Sequence, residues 1–282
     1  MNGYRGRIAP SPTGYLHAGH ARTFLVAAKR ASEGVLVYRN EDLDRSRCRE
    51  QYHCAALNDL RELGLAWQEG PDVGGPFGPY SQSARLAHYE ETWRRLYEMG
   101  LLYECTHSRQ ELRQLTHLYS PDGEAIYPSE LRGTVPSAMV SPEGPGQRNW
   151  RFRVPDGRTV FFEDQRLGGC SFEAGKDFGD FLIWRKSGVP SYELAVVVDD
   201  VLMQITEVVR GADLLVSTAR QLLLYEALGW RPPTWYHSRL LTNSSGTKLS
   251  KRDRSSGFGG LLSRPDGKAA LLKLCFPNGQ IE

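Results

Sequence analysis

Cysteine is scarce in this chain and follows no pattern. The 282 residues include five cysteines, Cys48, Cys54, Cys105, Cys170 and Cys275, and no CxxC pair. An odd, scattered set excludes a disulfide framework and points to reduced thiols in a cytoplasm. Long apolar runs are missing too. The stretch from Leu194 to Val201 is broken by Asp199 and Asp200, whereas a membrane-spanning helix needs about 20 apolar residues. No apolar segment follows Met1-Asn2-Gly3-Tyr4-Arg5-Gly6-Arg7, so no secretory signal is expected. Excess charge of one sign is also lacking. The formal net charge is +2, so any nucleic-acid surface must be a local patch. Repeats and low-complexity tracts are absent. What is present, 40% hydrophobic and 24% charged residues, excludes a disordered or fibrous chain. The length suits about two domains of roughly 150 residues each.

The hydrophobic pattern opens strand, helix, strand. Residues 4–9 read as a strand, Pro10-Ser11-Pro12-Thr13-Gly14 as a turn, and 17–31 as a helix stopped by Gly34. Residues 35–39 read as a buried strand. Such an opening belongs to a parallel α/β sheet. Residues 46–64 carry Tyr52, Ala56, Leu60 and Leu63 at helical spacing and end at Gly64. The next helix presents Leu86, Tyr89, Trp93, Leu96 and Tyr97, with Ser83 as its N-cap and Gly100 as its stop. Residues 69–79 are loop.

From about 105 to 176 the character changes, with prolines and glycines crowding 121–157. Residues 150–154 and 158–162 flank Pro155-Asp156-Gly157, a hairpin signal. Residues 181–184 and 193–198 read as strands, 217–228 as a helix and 235–241 as a strand. Residues 242–260 read as a polar Gly/Ser loop, and 268–274 as one short helix. The expected layout is an α/β domain of residues 1–104 and 177–255. A small mixed α/β insertion at 105–176 interrupts it, and a short tail at 256–282 follows.

Two motifs carry chemistry. The first is Arg7-Ile8-Ala9-Pro10-Ser11-Pro12-Thr13-Gly14, followed by His17-Ala18-Gly19-His20. Two histidines three apart on a first helical turn project to one side. Backbone N–H groups are unpaired there, and the helix dipole favours an anion such as phosphate. The imidazoles can donate to phosphate oxygens, and Gly19 leaves room for a flat base near the backbone. The tetrad alone marks only a helix start; the proline-rich string before it makes the motif specific. The second motif is Lys248-Leu249-Ser250-Lys251-Arg252, after Gly246. Two ammonium groups three residues apart can hold a triphosphate as point charges. Basic loops are common, so this motif gains its weight from the pairing with the first.

Arg7 to His20 resembles the HIGH region of the class I aminoacyl-tRNA synthetases, and Lys248 to Arg252 resembles their KMSKS loop. Arg39-Asn40-Glu41-Asp42-Leu43-Asp44, Tyr192 to Asp200 and Ile205 to Gly211 resemble the glutamyl branch of that family. The resemblance covers most of residues 4–255. It implies a Rossmann-type parallel-sheet catalytic domain carrying an acceptor-end insertion. Gly211-Ala212-Asp213-Leu214-Leu215 departs from the full-length glutamyl enzymes, where an acidic residue and then Asp-His are expected at Ala212 to Leu214. About 30 residues follow the KMSKS-like loop, so no anticodon-binding domain is expected. Both features resemble a short branch of the family that acts on a modified tRNA base.

The resemblance implies ATP-dependent activation of L-glutamate to glutamyl-adenylate without tRNA. The glutamate then passes to the queuosine base in the anticodon of tRNA(Asp). His17, His20, Lys248 and Lys251 are the implied catalytic residues. His17, Gly19, His20, Lys248, Ser250 and Lys251 would hold ATP with Mg²⁺, and Arg7, Ser11, Glu41, Tyr192 and Arg210 would bind glutamate. Guanidinium forks match the two carboxylates of that substrate. Glu41 suits its ammonium, and Ser11 and Tyr192 complete the polar shell. Ser11 and Glu41 fall beyond the carboxyl ends of strands, where ligands of such sheets bind. Lys248, Lys251, Arg252 and Arg254 supply a local basic cluster suited to phosphate.

The family often carries zinc on Cys-x-Cys with a later Tyr and Cys. Here Cys105-Thr106-His107 and Tyr127 are followed by Leu131, which cannot bind metal, so no zinc is expected. A cytoplasmic monomer without membrane contact is expected. Rival readings are a short glutamyl-tRNA synthetase charging a tRNA 3′ end, an idle glutamate- or adenylate-binding paralogue, and a small-molecule nucleotidyltransferase. The intact histidines and lysines argue against the second of these, and Lys251 with the paired arginines against the third.

Overall fold

The structure, a computed structural model, describes residues 3–134, 144–241 and 258–281. Lys248, Ser250, Lys251, Arg252 and Arg254 lie outside the described residues. The strands are β1 (Arg5–Ile8), β2 (Val35–Tyr38), β3 (Leu102–Cys105), β4 (Asn149–Phe152), β5 (Thr159–Asp164), β6 (Gly168–Glu173), β7 (Phe181–Arg185), β8 (Val189–Pro190), β9 (Glu207–Gly211) and β10 (Thr234–Ser238). The helices are α1 (Ala18–Arg30), α2 (Glu50–Leu63), α3 (Leu86–Glu98), α4 (Arg109–Leu115), α5 (Tyr192–Leu202), α6 (Leu215–Leu228), α7 (Phe258–Leu262) and α8 (Gly267–Cys275). Among the described residues, no helix is long and apolar enough to cross a membrane.

The chain forms two compact units. The first comprises Met1–Ala84, Gln204–Ala212 and Pro233–Glu282, the second Arg85–Met203 and Asp213–Pro232. In the first unit β1 and β2 lie parallel, Arg5 opposite Val35 and Ile8 opposite Tyr38, as a crossover through α1 requires. β9 and β10 form another parallel pair, with Arg210 opposite His237. Thr206, just ahead of β9, donates its N–H to the Arg5 carbonyl at 2.9 Å, so β9 runs beside β1. Ile8, Val26, Leu36, Leu60, Val209 and Leu271 belong to one core, and burying each such side chain contributes about 1.5–3 kcal/mol. α2 ends at Gly64, whose φ of +96° is a left-handed cap that costs other residues about 1–2 kcal/mol.

In the second unit, β3, β4, β7 and β8 form an antiparallel sheet in that order. Trp93 on α3 stacks on Tyr97 and meets Trp150 of β4 edge-on, both at 5.2 Å between ring centroids. Arg85 donates from Nε to Asp199 Oδ1 at 2.6 Å, and the Tyr89 hydroxyl donates to Asp199 Oδ2 at 2.9 Å. This buried pair ties α3 to α5.

The structure corrects four sequence expectations. Residues 193–198 belong to helix α5, not to a strand. Leu194 to Asp200 are all buried, and a helix buried on every side offers no amphipathic period to read. The expected hairpin of 150–154 with 158–162 does not form: β4 pairs with β3 and β7, so both its edges are taken, and β5 pairs with β6 instead. Ser83 does not cap α3. Its N–H and hydroxyl go to Asp42 at 2.8 and 2.6 Å, and Arg85 is the N-cap residue. The tail holds α7 as well as α8, so the polar loop ends by Phe258.

Candidate active site

The chain leaves β1 at Ile8, turns through Pro10-Ser11-Pro12 and enters α1 with His17 as its N-cap. His17 Nδ1 accepts the Gly19 N–H at 3.1 Å, and His20 Nδ1 accepts the His17 N–H at 3.2 Å. This is a capping box made of imidazoles where Ser or Thr and Glu usually stand. The two ring centroids are 3.8 Å apart. Since both Nδ1 atoms accept, each neutral ring carries its proton on Nε2, the kind of donor a phosphate oxygen takes. The helix N-terminus favours the same anion. A Cβ on Gly19 would stand 2.9 Å from His17 Cε1, so a side chain there would displace the histidine ring from its cap.

Arg7 and Arg210 are each only 4% exposed. Arg7 Nη1 donates to the Val209 carbonyl at 2.9 Å, which brings its guanidinium to the residue before Arg210. Arg210 donates from Nε to His237 Nε2 at 3.2 Å, and its guanidinium lies 4.7 Å from the centroid of the Trp235 ring. His237 is fully buried. Ser238 donates to the Arg210 carbonyl at 3.2 Å and meets Thr23 Oγ1 at 3.0 Å, which ties β10 to α1. Glu41 lies three residues beyond β2. Its N–H goes to the Pro10 carbonyl at 3.1 Å, and its Oε1 accepts from Arg39 Nη2 at 3.2 Å. Ser11 is exposed in the turn after β1.

The first unit therefore holds Arg7, Ser11, His17, Gly19, His20, Glu41 and Arg210. His237 and Trp235 escaped the sequence reading, because only the β9–β10 register sets them beside Arg210. Tyr192 opens α5 in the second unit and is half-buried. Its neighbour Glu193 accepts from Ser217 Oγ at 2.9 Å and Gln221 Nε2 at 2.8 Å, which anchors the start of α5 on α6. Lys248, Ser250 and Lys251 fall outside the described residues.

Cys105, His107 and Tyr127 do come together. The Tyr127 hydroxyl is 3.1 Å from His107 Nδ1 and 3.7 Å from Cys105 Sγ, and it donates to the Leu131 carbonyl at 2.9 Å. Arg151 donates from Nε to Cys105 Sγ at 3.2 Å, and its guanidinium sits 4.3 Å from the centroid of the Tyr127 ring. These residues do not fit zinc. A single thiol already bound to a fixed positive charge is a poor start for a site that wants four ligands. Among the described residues, no group of three or more His, Cys, Asp or Glu is arranged to hold a metal.

Parallel strands carrying Arg7 and Arg210 near their carboxyl ends, with a histidine-capped helix start after the first, define a Rossmann-type fold. Residues 4–265 match the catalytic domain of the class I tRNA synthetases (E and Q), and the chain belongs to that family of ligases. It is 45% identical over 256 residues to the glutamyl-Q tRNA(Asp) synthetase of Nitratidesulfovibrio vulgaris, covering 89% of this chain and 78% of that protein. To the glutamyl-Q tRNA(Asp) synthetase of Symbiobacterium thermophilum it is 44% identical, over 91% of this chain and 80% of the relative. A glutamate–tRNA ligase from Bacillus licheniformis is 42% identical over 90% of this chain. The glutamate-tRNA synthetase of Elizabethkingia anophelis matches in structure with a TM-score of 0.75 at 30% identity, over 89% of this chain. This chain covers 53% of each of those two longer proteins.

Proposed function

We propose that the protein activates L-glutamate with ATP, without tRNA, and transfers the glutamyl group to the queuosine base in the anticodon of tRNA(Asp). The observation that carries this reading is the pair of buried arginines, Arg7 and Arg210, on neighbouring strands of a unit that also holds Glu41. Two guanidiniums and one carboxylate complement a substrate with two carboxylates and one ammonium. The 44–45% identity to two glutamyl-Q tRNA(Asp) synthetases supports the acceptor.

Activation needs no protein nucleophile. A glutamate α-carboxylate oxygen attacks the α-phosphorus of ATP, the bond to the bridging oxygen breaks, and pyrophosphate leaves with the electron pair. Positioning and charge stabilisation then supply the rate. In this reading His17 and His20 donate from Nε2 to phosphate oxygens, Gly19 lies at the nucleotide, and Lys248, Ser250 and Lys251 hold the leaving pyrophosphate. Mg²⁺ enters with ATP as part of the substrate. Ser11 and Tyr192 complete the glutamate shell. In the second step a hydroxyl of the queuosine diol attacks the adenylate carbonyl, an ester forms and AMP leaves. Residues 1–104 and 177–255 are the catalytic domain in this reading and 105–176 its insertion, in a cytoplasmic monomer.

The test is glutamate-dependent ATP–pyrophosphate exchange in the absence of RNA, followed by transfer of labelled glutamate to tRNA(Asp) with and without queuosine. Exchange should proceed without tRNA, and the labelled product should survive removal of the 3′ CCA end. Glutamate on the terminal adenosine, or transfer to tRNA lacking queuosine, would overturn the acceptor and leave activation standing.

A further inference from the structure

A cleft of about 480 Å³ lies wholly within the first unit, a size suited to a small-molecule group. Arg7, Ser11, His17, His20, Glu41 and Arg210 do not line it. It starts next to them in the chain, since Pro12 follows Ser11, and Asn40 and Asp42 flank Glu41. Asn40 is 4% exposed. Its Nδ2 donates to Ser81 Oγ at 3.2 Å, while its Oδ1 has no hydrogen-bond partner. A buried amide oxygen without a donor is destabilising unless a ligand supplies one.

The other walls agree in chemistry. Asp42 is fixed by Ser83, which donates to both its carboxylate oxygens, and Glu50 adds a second carboxylate at the start of α2. Arg45 and Arg49 are exposed and line the same cleft. The Arg49 guanidinium is held by the Cys48 and Ser46 carbonyls at 2.8 and 2.9 Å. The cleft thus offers acceptors to a group rich in donors and fixed positive charge to anions.

We propose that this cleft is the subsite for the acceptor nucleoside. Asn40, Asp42 and Glu50 accept from the hydroxyls and secondary amine of the modified base, and Arg45 and Arg49 take the flanking phosphates. This rests on the queuosine reading above. An unmodified guanine carries no diol and no amine arm to satisfy these acceptors, so the cleft sets specificity for the modified base. Glu41, between Asn40 and Asp42 in the chain, belongs to the glutamate site of that reading, so a nucleoside held here lies next to the activated carboxyl.

Cys48 lines the cleft, whereas Cys54 is exposed and does not. Alkylation of each thiol by iodoacetamide, resolved by mass spectrometry on the full chain, reads occupancy directly. Queuosine nucleoside should slow modification of Cys48 at least fivefold while guanosine does not, with Cys54 unchanged under both. Asn40→Leu should lower transfer to queuosine tRNA(Asp) at least tenfold more than it lowers ATP–pyrophosphate exchange. Asn40→Asp, which keeps an acceptor in place, should recover most of the loss. Cys48 labelled equally fast with and without queuosine, at concentrations that inhibit wild-type transfer, overturns the subsite. Equal losses of transfer and exchange in Asn40→Leu do the same. Wild-type enzyme that transfers nothing to queuosine tRNA(Asp) overturns instead the acceptor reading beneath it.

Discussion

Arg210 and His237 face each other across two parallel strands, and the imidazole accepts from the guanidinium Nε. An imidazolium has no lone pair to offer, so the contact requires a neutral ring. His237 thereby fixes the plane of the guanidinium while Trp235 packs against it. A hydrogen bond to a charged group is worth about 1.5–3 kcal/mol, which is roughly tenfold or more in affinity. His237→Leu should therefore raise the KM for glutamate at least tenfold with a smaller change in the KM for ATP. His237→Gln, which returns an acceptor oxygen near the place of Nε2, should restore most of it. Steady-state exchange kinetics decide the matter, and an unchanged glutamate KM in His237→Leu would mean that other groups orient Arg210. Arg7, Ser11, Glu41 and Arg210 could be singled out in the sequence because their types complement one substrate and sit in specific motifs, and the structure places all four in one unit. His237 and Asn40 were not. One acts through strand register across 27 positions, and the other through burial of a single amide oxygen, and neither leaves a mark in local pattern.

Helix α5 was illegible for a related reason. Its run from Leu194 to Val198 has no polar position against which a period of two or 3.6 can be counted. The signal that was available is Ser191, whose hydroxyl accepts the Leu194 N–H at 3.3 Å. Without that cap the first turn, which carries Tyr192, frays. Ser191→Ala should cost about 1 kcal/mol, seen as a lower denaturant midpoint at unchanged slope. A midpoint equal to wild type would show that Glu193, through Ser217 and Gln221, anchors the turn unaided. The false hairpin at 150–162 has a topological cause. Pro155-Asp156-Gly157 does make a turn, with Gly157 at φ +66°, but a turn fixes chain direction and not partners. By contrast β1, α1, β2 and α2 were legible, since β2 is a short apolar run, β1 ends at a proline-rich turn, and the helices carry an amphipathic period that ends before Gly34 and Gly64.

For the molecule as a whole, one buried carboxyl sets a pH dependence. Burial on α2, with Glu62 adding repulsion, lifts Asp59 to about 6, against an ordinary aspartate value of about 3.9. Between those values the folded chain holds a proton that the unfolded chain has released. Stability should therefore fall as pH rises through that window and level off above it. Asp59→Asn, neutral at every pH, should lack this decline. Melting temperatures of the two proteins from pH 4 to pH 7 make the test, and parallel profiles would show that Asp59 ionises as freely folded as unfolded.

The segmented make-up of the two units bears on how the chain is born. The second unit has all its residues once Pro232 has been added, whereas the first, begun at the N-terminus, still awaits β10, α7 and α8. At about 5–20 residues per second of synthesis, the strand bearing His237 follows the one bearing Arg7 by on the order of ten seconds or more. For most of that interval β1 has no β9 beside it, and α1 still lacks α8 when the interval ends. Arg7 and Arg210 thus belong to the unit whose last strand and helices are synthesised after every residue of the other unit is in place.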